Sequence, residues 1–343
     1  MLFRSKDILL ITYADTLKCK NKKSLNVLSD FLDIYIKKII NIIHILPFYP
    51  SSSDGGFAVT DFFKIDSKHG NWNDLKKLSN NYKIMSDIVL NHASSKSKWF
   101  KNFLDNHGEG KDFFLTVENE FNTQHIVRAR SHKLLQKFKT KNGYKLVWCT
   151  FSRDQVDFNF KNPKVLLAFI KLLLFLSRKG VKLFRFDAVA FIWKRKETNC
   201  INLDQTHAII RLFRTLLNFT DSESKIVTET NLPFNENLSY FGNSDEANII
   251  YNFSLAPLII NTLIKGSSVA FRRWSMGMPP AKDNNNYLNF LATHDGIGIR
   301  PLEGIINSKD PKIPNPKVKS QNKTLFSLII PVPATFRISY EKL

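Results

Sequence analysis

The sequence has 343 residues, 43% of them hydrophobic, and its 50 lysines and arginines outnumber 30 aspartates and glutamates to give a net charge of +20. This composition excludes collagen-like, low-complexity and wholly disordered chains, and the length suffices for one large domain or two small ones. The three cysteines, Cys19, Cys149 and Cys200, show no paired spacing, so neither a disulfide scaffold nor a cysteine-rich zinc module is expected.

The distribution of charged and apolar residues indicates which partners are expected. The excess lysine is spread over the chain, and its densest stretch, 309–323, is not interleaved with aromatic residues, so a solvated surface is favoured over a nucleic-acid interface. The apolar stretch 8–14 is too short to span a membrane and has no signal-peptide cleavage site. We expect a cytoplasmic protein that binds neither nucleic acid nor membrane, and no oligomeric state is predicted.

Short apolar runs recur along the chain, each followed by a segment that can form a helix. Most are apolar throughout rather than alternating, which is typical of parallel strands buried on both faces. The predicted strands are Leu9–Tyr13, Ile42–Leu46, Ile84–Leu90, Val181–Phe186, Lys225–Thr228, Asn248–Phe253, Leu288–Ala292 and the less regular Leu325–Ile330. The predicted helices include Leu25–Ile40, Trp72–Asn80, Pro163–Arg178 and Asp204–Phe219. Eight such units predict an α/β protein with a (β/α)8 TIM barrel.

The segment after the third strand is too long for a plain connection. It is polar, aromatic and irregular from His92 to Phe160, and structureless loops of that size are unusual inside a compact domain unless they are functional. We interpret 93–160 as an inserted subdomain, 1–92 and 161–305 as the catalytic barrel, and 306–343 as a divergent tail with a remnant of strand eight.

Carboxylates follow the predicted strands at their C-terminal ends, where barrels of this kind carry their active sites. Asp187 lies two positions after Arg185, so both side chains point the same way from one strand. The arginine favours the ionised carboxylate that a nucleophile requires. Glu229 follows two apolar residues, and partial burial would raise its pKa, as a general acid requires. Asp295 precedes Gly296, which allows backbone or ligand to approach closely.

Other interpretations of these residues remain open at this point. A single aspartate at a strand end is usually a turn former or a helix cap, but five polar strand ends at one barrel mouth favour a catalytic site. Three carboxylates and two histidines could bind a divalent metal, although the histidines lie on different strands and no His-x-x-x-His or Cys-x-x-Cys spacing occurs. Neither a glycine-rich phosphate loop nor a Gly-x-Ser-x-Gly elbow is present. We expect no cofactor and no metal.

Four motifs at the strand ends resemble the α-amylase superfamily, namely Asp87–His92, Arg185–Asp187, Glu229 and His294-Asp295. Within it the chain resembles the sucrose phosphorylase type, through the segments 10–15, 44–48, 54–57, 70–75, 147–157, 251–258 and 293–298. The resemblance covers about residues 5–305. It implies retaining transfer of an α-glucosyl unit from a glucoside to inorganic phosphate, which yields glucose 1-phosphate.

The resemblance also implies roles for individual residues. By motif position Asp187 is the nucleophile, Glu229 the general acid/base and Asp295 the transition-state stabiliser. The residues implied to bind the substrate's glucosyl ring are Asp54, His92, Gln155, Arg185 and His294.

Two arginine-containing stretches bear on the acceptor. Arg130 takes the position of a phosphate-binding arginine, although the family's usual proline before it is Ala129 here; an ordinary solvated surface is the alternative for Arg128 and Arg130. The stretch Arg300–Gly304 favours glucosylglycerate or phosphorylated sucrose over plain sucrose as the substrate.

The C-terminal part of the chain departs from the family pattern. Members of the family continue through an eighth strand, an eighth helix and a C-terminal β-domain, whereas here only Ser327–Phe336 resembles the eighth strand. We therefore expect a chain truncated by a frameshift, a fragmentary gene or decay, with strand eight degenerate, the C-terminal β-domain missing and activity impaired. The competing interpretations are a same-fold α-glucosidase or transglucosidase, which differs in acceptor, and an inactive sugar-binding remnant.

Overall fold

The structure is a computed structural model that describes residues 7–117, 122–281 and 285–306, together with the backbone of residues 338–339. Its strands in chain order are β1 Leu9–Thr12, β2 Leu17–Lys18, β3 Ile42–Ile45, β4 Lys83–Val89, β5 His92–Ser94, β6 Thr116–Val117, β7 Leu135–Thr140, β8 Gly143–Trp148, β9 Gln155–Asp157, β10 Val181–Asp187, β11 Lys225–Thr228, β12 Ile249–Tyr251, β13 Asn286–Leu288 and β14 Ile338–Ser339. Its α-helices are α1 Ser24–Phe31, α2 Trp72–Asn81, α3 Lys98–Leu104, α4 Pro163–Arg178, α5 Asp204–Thr220, α6 Phe234–Leu238, α7 Leu255–Lys265 and α8 Val269–Met276. No helix in these ranges is long and apolar enough to cross a membrane.

One parallel sheet joins seven strands in the order β1, β3, β4, β10, β11, β12, β13. Leu9 lies opposite Ile42 in the first pair, and Leu183 lies opposite Lys225 between β10 and β11. The strands correspond to the first seven predicted ones, and their order in the sheet follows the chain, as in a (β/α)8 barrel. The predicted eighth strand and its proposed remnant at 327–336 lie outside the described residues.

The helix α4 shows how local sequence sets the element bounds. Asn162 caps it by accepting a hydrogen bond from the backbone N–H of Lys164 at 3.0 Å, and Pro163 occupies the first turn, where no N–H is needed. Gly180 follows the helix with φ +99°, which allows the chain to turn directly into β10. Signals at both ends explain why the predicted helix matches the observed one residue for residue.

Alternate residues of the barrel strands form an apolar interior layer and a polar layer above it. Ile42, Met85, Leu183, Val227, Ile249 and Tyr251 pack together as one buried cluster. Because side chains alternate between the two faces of a strand, the residue two positions further along shares the same face. Those residues are His44, Asp87, Arg185 and Glu229 after the first four. The period-two pattern therefore places a polar layer at the C-terminal ends of the strands.

Two element bounds differ from the sequence-based expectation. The first predicted helix ends at Phe31 and continues as a π-helical segment, Leu32–Ile36, instead of running as an α-helix to residue 40. The seventh strand is Asn286–Leu288 rather than 288–292, because the backbone N–H of Asn286 donates to the Asn248 carbonyl oxygen and starts the pairing with β12. Because Asn286 is polar, the apolar pattern of the sequence does not mark the start of this strand.

The segment between β4 and β10 has its own secondary structure. It contains α3, an antiparallel three-stranded sheet in the order β6, β8, β7 and an antiparallel pair of β5 with β9. The pairing of β5 with β9 sets His92 opposite Asp157 and Ser94 opposite Gln155, so both ends of the segment meet beside β4. The exact bounds 93–160 stay a prediction.

Candidate active site

A cavity of about 380 Å³ opens at the C-terminal ends of the barrel strands. Eight of the nine residues that the sequence analysis singled out for the site line it, namely Asp54, His92, Arg130, Gln155, Asp187, Glu229, His294 and Asp295. The ninth, Arg185, is buried and donates to Asp187 from below. The structure therefore brings the whole predicted set together from segments spread over more than 240 positions of the chain.

The guanidinium of Arg185 is the positive centre of the cavity floor. Its Nη1 donates to Asp87 Oδ1 at 2.5 Å and to Asp187 Oδ1 at 2.6 Å, and its Nη2 lies 3.7 Å from Asp295 Oδ2. Burial acts to lower the pKa of Arg185, but the carboxylates around it raise that pKa far above its usual value. One fixed cation therefore organises three carboxylates.

Asp87 and His44 form a buried support for Arg185 that the sequence analysis did not assign to the site. His44 Nε2 lies 2.8 Å from Asp87 Oδ2, and both side chains are fully buried. Burial acts to raise the pKa of Asp87, but His44 and Arg185 together lower it to about 2. Their period-two spacing after Ile42 and Met85 is the sequence signal that could have identified them.

The ionisation of Asp187 depends on burial and on Glu229 as well as on Arg185. Burial raises the pKa of its carboxyl, the nearby Glu229 raises it further, and Arg185 opposes both effects. Arg185 thus favours the ionised carboxylate, as the sequence indicates, while burial and the neighbouring Glu229 oppose that ionisation.

Glu229 follows β11, and its side chain contacts the backbone of the residue after Asp187. Its Oε2 accepts a hydrogen bond from the N–H of Ala188 at 2.9 Å. Ala188 is in the left-handed region with φ +49°, and this turns its N–H toward the glutamate. Burial raises the pKa of Glu229, in the direction predicted from the sequence.

Asp295 and His294 form another part of the cavity lining. The Asp295 side chain is 56% exposed, whereas the His294 ring stacks on Phe57 with centroids 5.4 Å apart and an interplanar angle of 1°. Burial lowers the pKa of His294 to about 4, so the ring is neutral at pH 7. Neither ring nitrogen makes a hydrogen bond within the described residues, and Nε2 lies 3.3 Å from Asp295 Oδ1.

Asp54, Gln155 and His92 form a connected polar wall on another side of the cavity. Gln155 Nε2 donates to Asp54 Oδ2 at 2.7 Å and lies 3.0 Å from His92 Nε2. Burial lowers the pKa of His92 to about 4. Asp54 is in the left-handed region with φ +56°, a strained conformation for a non-glycine residue that is typical of functional sites.

Lys194 is a buried cation behind this wall that the sequence analysis did not single out. Its Nζ lies 2.6 Å from Asp157 Oδ2 and donates to Asn91 Oδ1 at 2.7 Å, while Asn91 Nδ2 lies 3.4 Å from His92 Nδ1. Burial lowers the pKa of Lys194 and Asp157 opposes the decrease. Neither its position in a loop nor its neighbours in sequence distinguish it from surface lysines.

Three arginines near the cavity opening differ in their contacts. Arg128 donates to the carbonyl oxygen of His132 and does not line the cavity. Arg130 is exposed, lines the cavity and has no hydrogen bond or ion pair to the part of the chain that the structure describes. Arg300 is half-buried and also lines the cavity, at the start of the short 3-10 turn Arg300–Leu302.

No group of three or more histidine, cysteine, aspartate or glutamate side chains in the described ranges has the arrangement of a metal site. The acidic residues of the cavity instead contact Arg185, backbone N–H groups and neutral side chains.

Comparisons with known proteins identify the family of the chain. Residues 20–296 match the family described as "Alpha amylase, catalytic domain". A glucosylglycerate phosphorylase of Spirochaeta thermophila is 42% identical over 300 residues, covering 88% of this chain and 51% of that protein. A sucrose phosphorylase of Agrobacterium vitis is 28% identical and covers 84% of this chain and 59% of that protein. The chain thus spans about half the length of the curated relatives it matches.

A solved structure shows the same architecture. The sucrose 6F-phosphate phosphorylase from Thermoanaerobacter thermosaccharolyticum superposes with a TM-score of 0.79 at 26% identity, covering 90% of this chain and 64% of that one. Together with the family match, this confirms the predicted (β/α)8 fold class. The parallel sheet, the polar layer at its C-terminal end and a match that spans more than half of the sequence lead to one conclusion: this chain belongs to the α-amylase catalytic-domain family.

Proposed function

We propose that the site transfers an α-glucosyl unit, with retention of configuration, from a glucoside to inorganic phosphate and so produces glucose 1-phosphate. The observation that carries the proposal is the presence, in one cavity, of the Arg185-bound Asp187, the adjacent Glu229 and the guanidinium of Arg130, which has no partner among the described residues. The matched glucosylglycerate and sucrose phosphorylases support it.

The two central carboxyls take different protonation states in this proposal. Neighbouring buried carboxyls raise each other's pKa, so one proton is held by the pair. Arg185 donates to Asp187 at 2.6 Å, whereas Glu229 accepts from the neutral Ala188 amide. A guanidinium stabilises a carboxylate more than an amide does, and we therefore assign the ionised form to Asp187 and the proton to Glu229.

In the first step an oxygen of Asp187 attacks the anomeric carbon of the bound glucoside. The bond to the leaving oxygen breaks with its electron pair, and Glu229 transfers its proton to that oxygen. Retention requires the two carboxyl groups to lie about 5–5.5 Å apart, and we predict this separation for Asp187 and Glu229. Asp295, 3.7 Å from Arg185, would stabilise the positive charge that develops on the sugar ring.

In the second step a phosphate oxygen attacks the anomeric carbon from the side that the leaving group vacated. The bond to Asp187 breaks, its electron pair returns to the carboxylate, and Glu229 takes the proton from phosphate. Arg130 would bind that phosphate, since a guanidinium can donate two parallel hydrogen bonds to it. The glucosyl ring would be held by Asp54, His92, Gln155 and His294, while the buried Arg185 would act on it through Asp187.

The lining of the cavity also bears on the leaving group, and we propose that this group is anionic. Arg300 adds a second guanidinium to the lining, apart from Arg130 in the chain. We propose glucosylglycerate or a phosphorylated sucrose as the substrate ahead of sucrose, because a carboxylate or phosphate could pair with Arg300. The identity with glucosylglycerate phosphorylases supports the first of these.

The proposal includes the organisation and location of the protein. The subdomain 93–160 would carry Arg130 beside a barrel built from 1–92 and 161–305. The three cysteines are free, including the exposed Cys19, and free cysteines are typical of a reducing compartment. We therefore propose a cytoplasmic enzyme.

The test is whether glucosyl release by the full chain depends on phosphate. Glucose 1-phosphate should form from glucosylglycerate in the presence of phosphate, more slowly from sucrose, and not at all with Asp187→Asn. Release of free glucose at a rate independent of phosphate would contradict phosphorolysis and favour a same-fold hydrolase. Binding of the glucoside without turnover would favour the sugar-binding interpretation.

A further inference from the structure

Outside the residues assigned to the reaction, the carboxylate of Asp154 has an unusual set of partners. Four serine hydroxyl groups lie within hydrogen-bond distance of it, two on each oxygen, and the hydroxyl oxygens of Ser52 and Ser94 lie 2.6 Å from each other. Oδ2 accepts from Ser52 and Ser53, each at 2.5 Å. Oδ1 accepts from Ser95 at 2.7 Å and from Ser94 at 3.3 Å.

The four serines come from two segments that are distant in the chain. Ser52 and Ser53 lie in the loop after β3, directly before Asp54. Ser94 ends β5, two positions after His92, and Ser95 follows it. Each carboxylate oxygen therefore binds one segment, and the backbone N–H of Ser95 also donates to the Asp154 carbonyl oxygen at 2.7 Å.

Asp154 itself is on a third segment, immediately before Gln155. Asp54 directly follows Ser53, and His92 lies two positions before Ser94. All three wall residues are therefore close in the chain to Asp154 or to a serine that contacts it. The wall contacts themselves are short: Gln155 Nε2 lies 2.7 Å from Asp54 Oδ2 and 3.0 Å from His92 Nε2. The backbone pairing of β5 with β9 already holds the segments of His92 and Gln155 in register. The loop that carries Asp54 has no place in that pairing, so the Asp154 carboxylate adds its attachment to the other two segments.

We propose that Asp154 is a positioning residue, whose carboxylate ties the segments that carry Asp54, His92 and Gln155 into the wall that binds the glucosyl ring. The inference rests on the proposed function for the ligand, but not for the geometry. An ionised carboxylate only accepts hydrogen bonds and has room for four donors. The hydroxyl donors lower the pKa of Asp154 against the effect of its partial burial, so it is ionised at neutral pH.

The central variant is Asp154→Asn, which keeps the shape but replaces one accepting oxygen with an NH2 group. One of the two serine segments then loses its acceptor. Asp112→Asn is the matched control, because Asp112 is also a hydrogen-bonded carboxylate of the 93–160 segment, paired with Lys164 at 2.7 Å, and does not line the cavity.

Two readouts distinguish positioning from general loosening. The first is the affinity of the full chain for D-glucose, measured by calorimetry beside its affinity for inorganic phosphate. We expect Asp154→Asn to weaken glucose binding about tenfold, as loss of charge-assisted hydrogen bonds would, with phosphate binding and the Tm unchanged. The second is the NMR titration of the His92 ring, assigned with His92→Asn, whose pKa of about 4 should rise toward its ordinary value as the wall opens.

The outcomes are decisive in either direction. Wild-type glucose affinity together with an unchanged His92 titration in Asp154→Asn would overturn the inference, and so would a parallel loss of glucose and phosphate binding. If Asp154→Asn does not fold, Ser53→Ala and Ser95→Ala decide by the same criteria, since each removes one donor from a different segment. If the wild-type chain binds no glucose, the proposed function fails, while the His92 titration still tests the positioning role.

Discussion

At the scale of single residues, the crowded carboxyls of the cavity affect stability as well as reaction. Burial raises the pKa of both Asp187 and Glu229. A carboxyl whose pKa is raised by folding binds its proton more tightly in the folded state, so stability falls as pH rises from the unfolded-state pKa through the folded-state pKa. At pH 7 these residues therefore lower the free energy of unfolding, which is the cost of building a site with matched acid and nucleophile.

Removal of one carboxyl should recover part of that free energy. We expect Glu229→Gln to raise the Tm at pH 7, by about 2–4 °C for each kcal/mol recovered. The gain should be smaller near pH 4, where the glutamate of the unfolded chain is also largely protonated. Thermal unfolding at the two pH values measures this, with Glu109→Gln, an exposed glutamate remote from the cavity, as the control. A lower Tm for Glu229→Gln at pH 7 would contradict the explanation that the raised pKa of the buried Glu229 lowers the free energy of unfolding.

Arg130 allows a test at the same scale of how phosphate is selected over water. Its guanidinium lines the cavity without a partner among the described residues. We expect Arg130→Ala to raise the KM for phosphate about tenfold or more, as loss of a charge-assisted pair would, while glucoside hydrolysis persists. Arg153→Ala is the control, because Arg153 already donates to Gln136 and to the Lys137 carbonyl oxygen. Equal losses of phosphorolysis and hydrolysis would make Arg130 structural.

At the scale of elements, the turn after β10 couples backbone conformation to the site. Ala188 has φ +49°, where a Cβ costs about 1–2 kcal/mol and a branched side chain costs more. We expect Ala188→Gly to keep the Tm and the activity, and Ala188→Val to lower both, because the N–H that donates to Glu229 would turn away. Thermal unfolding and phosphorolysis rates measure the two effects. Equal Tm values for both variants would show that the conformation is not strained.

How far the sequence predicts such elements depends on whether their signals are local. The helix α4 was predicted in full because Asn162, Pro163 and Gly180 mark both its ends. The period-two pattern of parallel strands placed Asp187 and Glu229 at one barrel mouth. By contrast, the β13 start at Asn286 depends on pairing with β12, and the bonds that Asp154 accepts join segments about 60 and 100 positions away. Contacts of that kind leave no trace in a local pattern.

At the scale of the whole molecule, exposed apolar side chains are concentrated beside the two ends of the parallel sheet. Among the described residues β1 and β13 are the terminal strands. The segment that follows α1 exposes the side chains of Ile34 and Ile39. The helix α7, which precedes β13 in the chain, exposes Leu263 and Ile264, and Leu263 is 76% exposed. Large apolar side chains exposed in this way favour association between chains.

This surface leads to a prediction that is independent of catalysis. We expect the chain to self-associate at micromolar concentration and the double variant Leu263→Glu/Ile264→Lys to do so less, because charge on an exposed face opposes association. The Tm should stay within about 1–2 °C, since these side chains contribute little burial. Light scattering and thermal unfolding measure the two quantities. The control is the exposed Phe219→Glu on α5, remote from both sheet ends in the chain order. An equal reduction there would mean that exposed apolar side chains in general, and not the apolar surface beside β13, govern association.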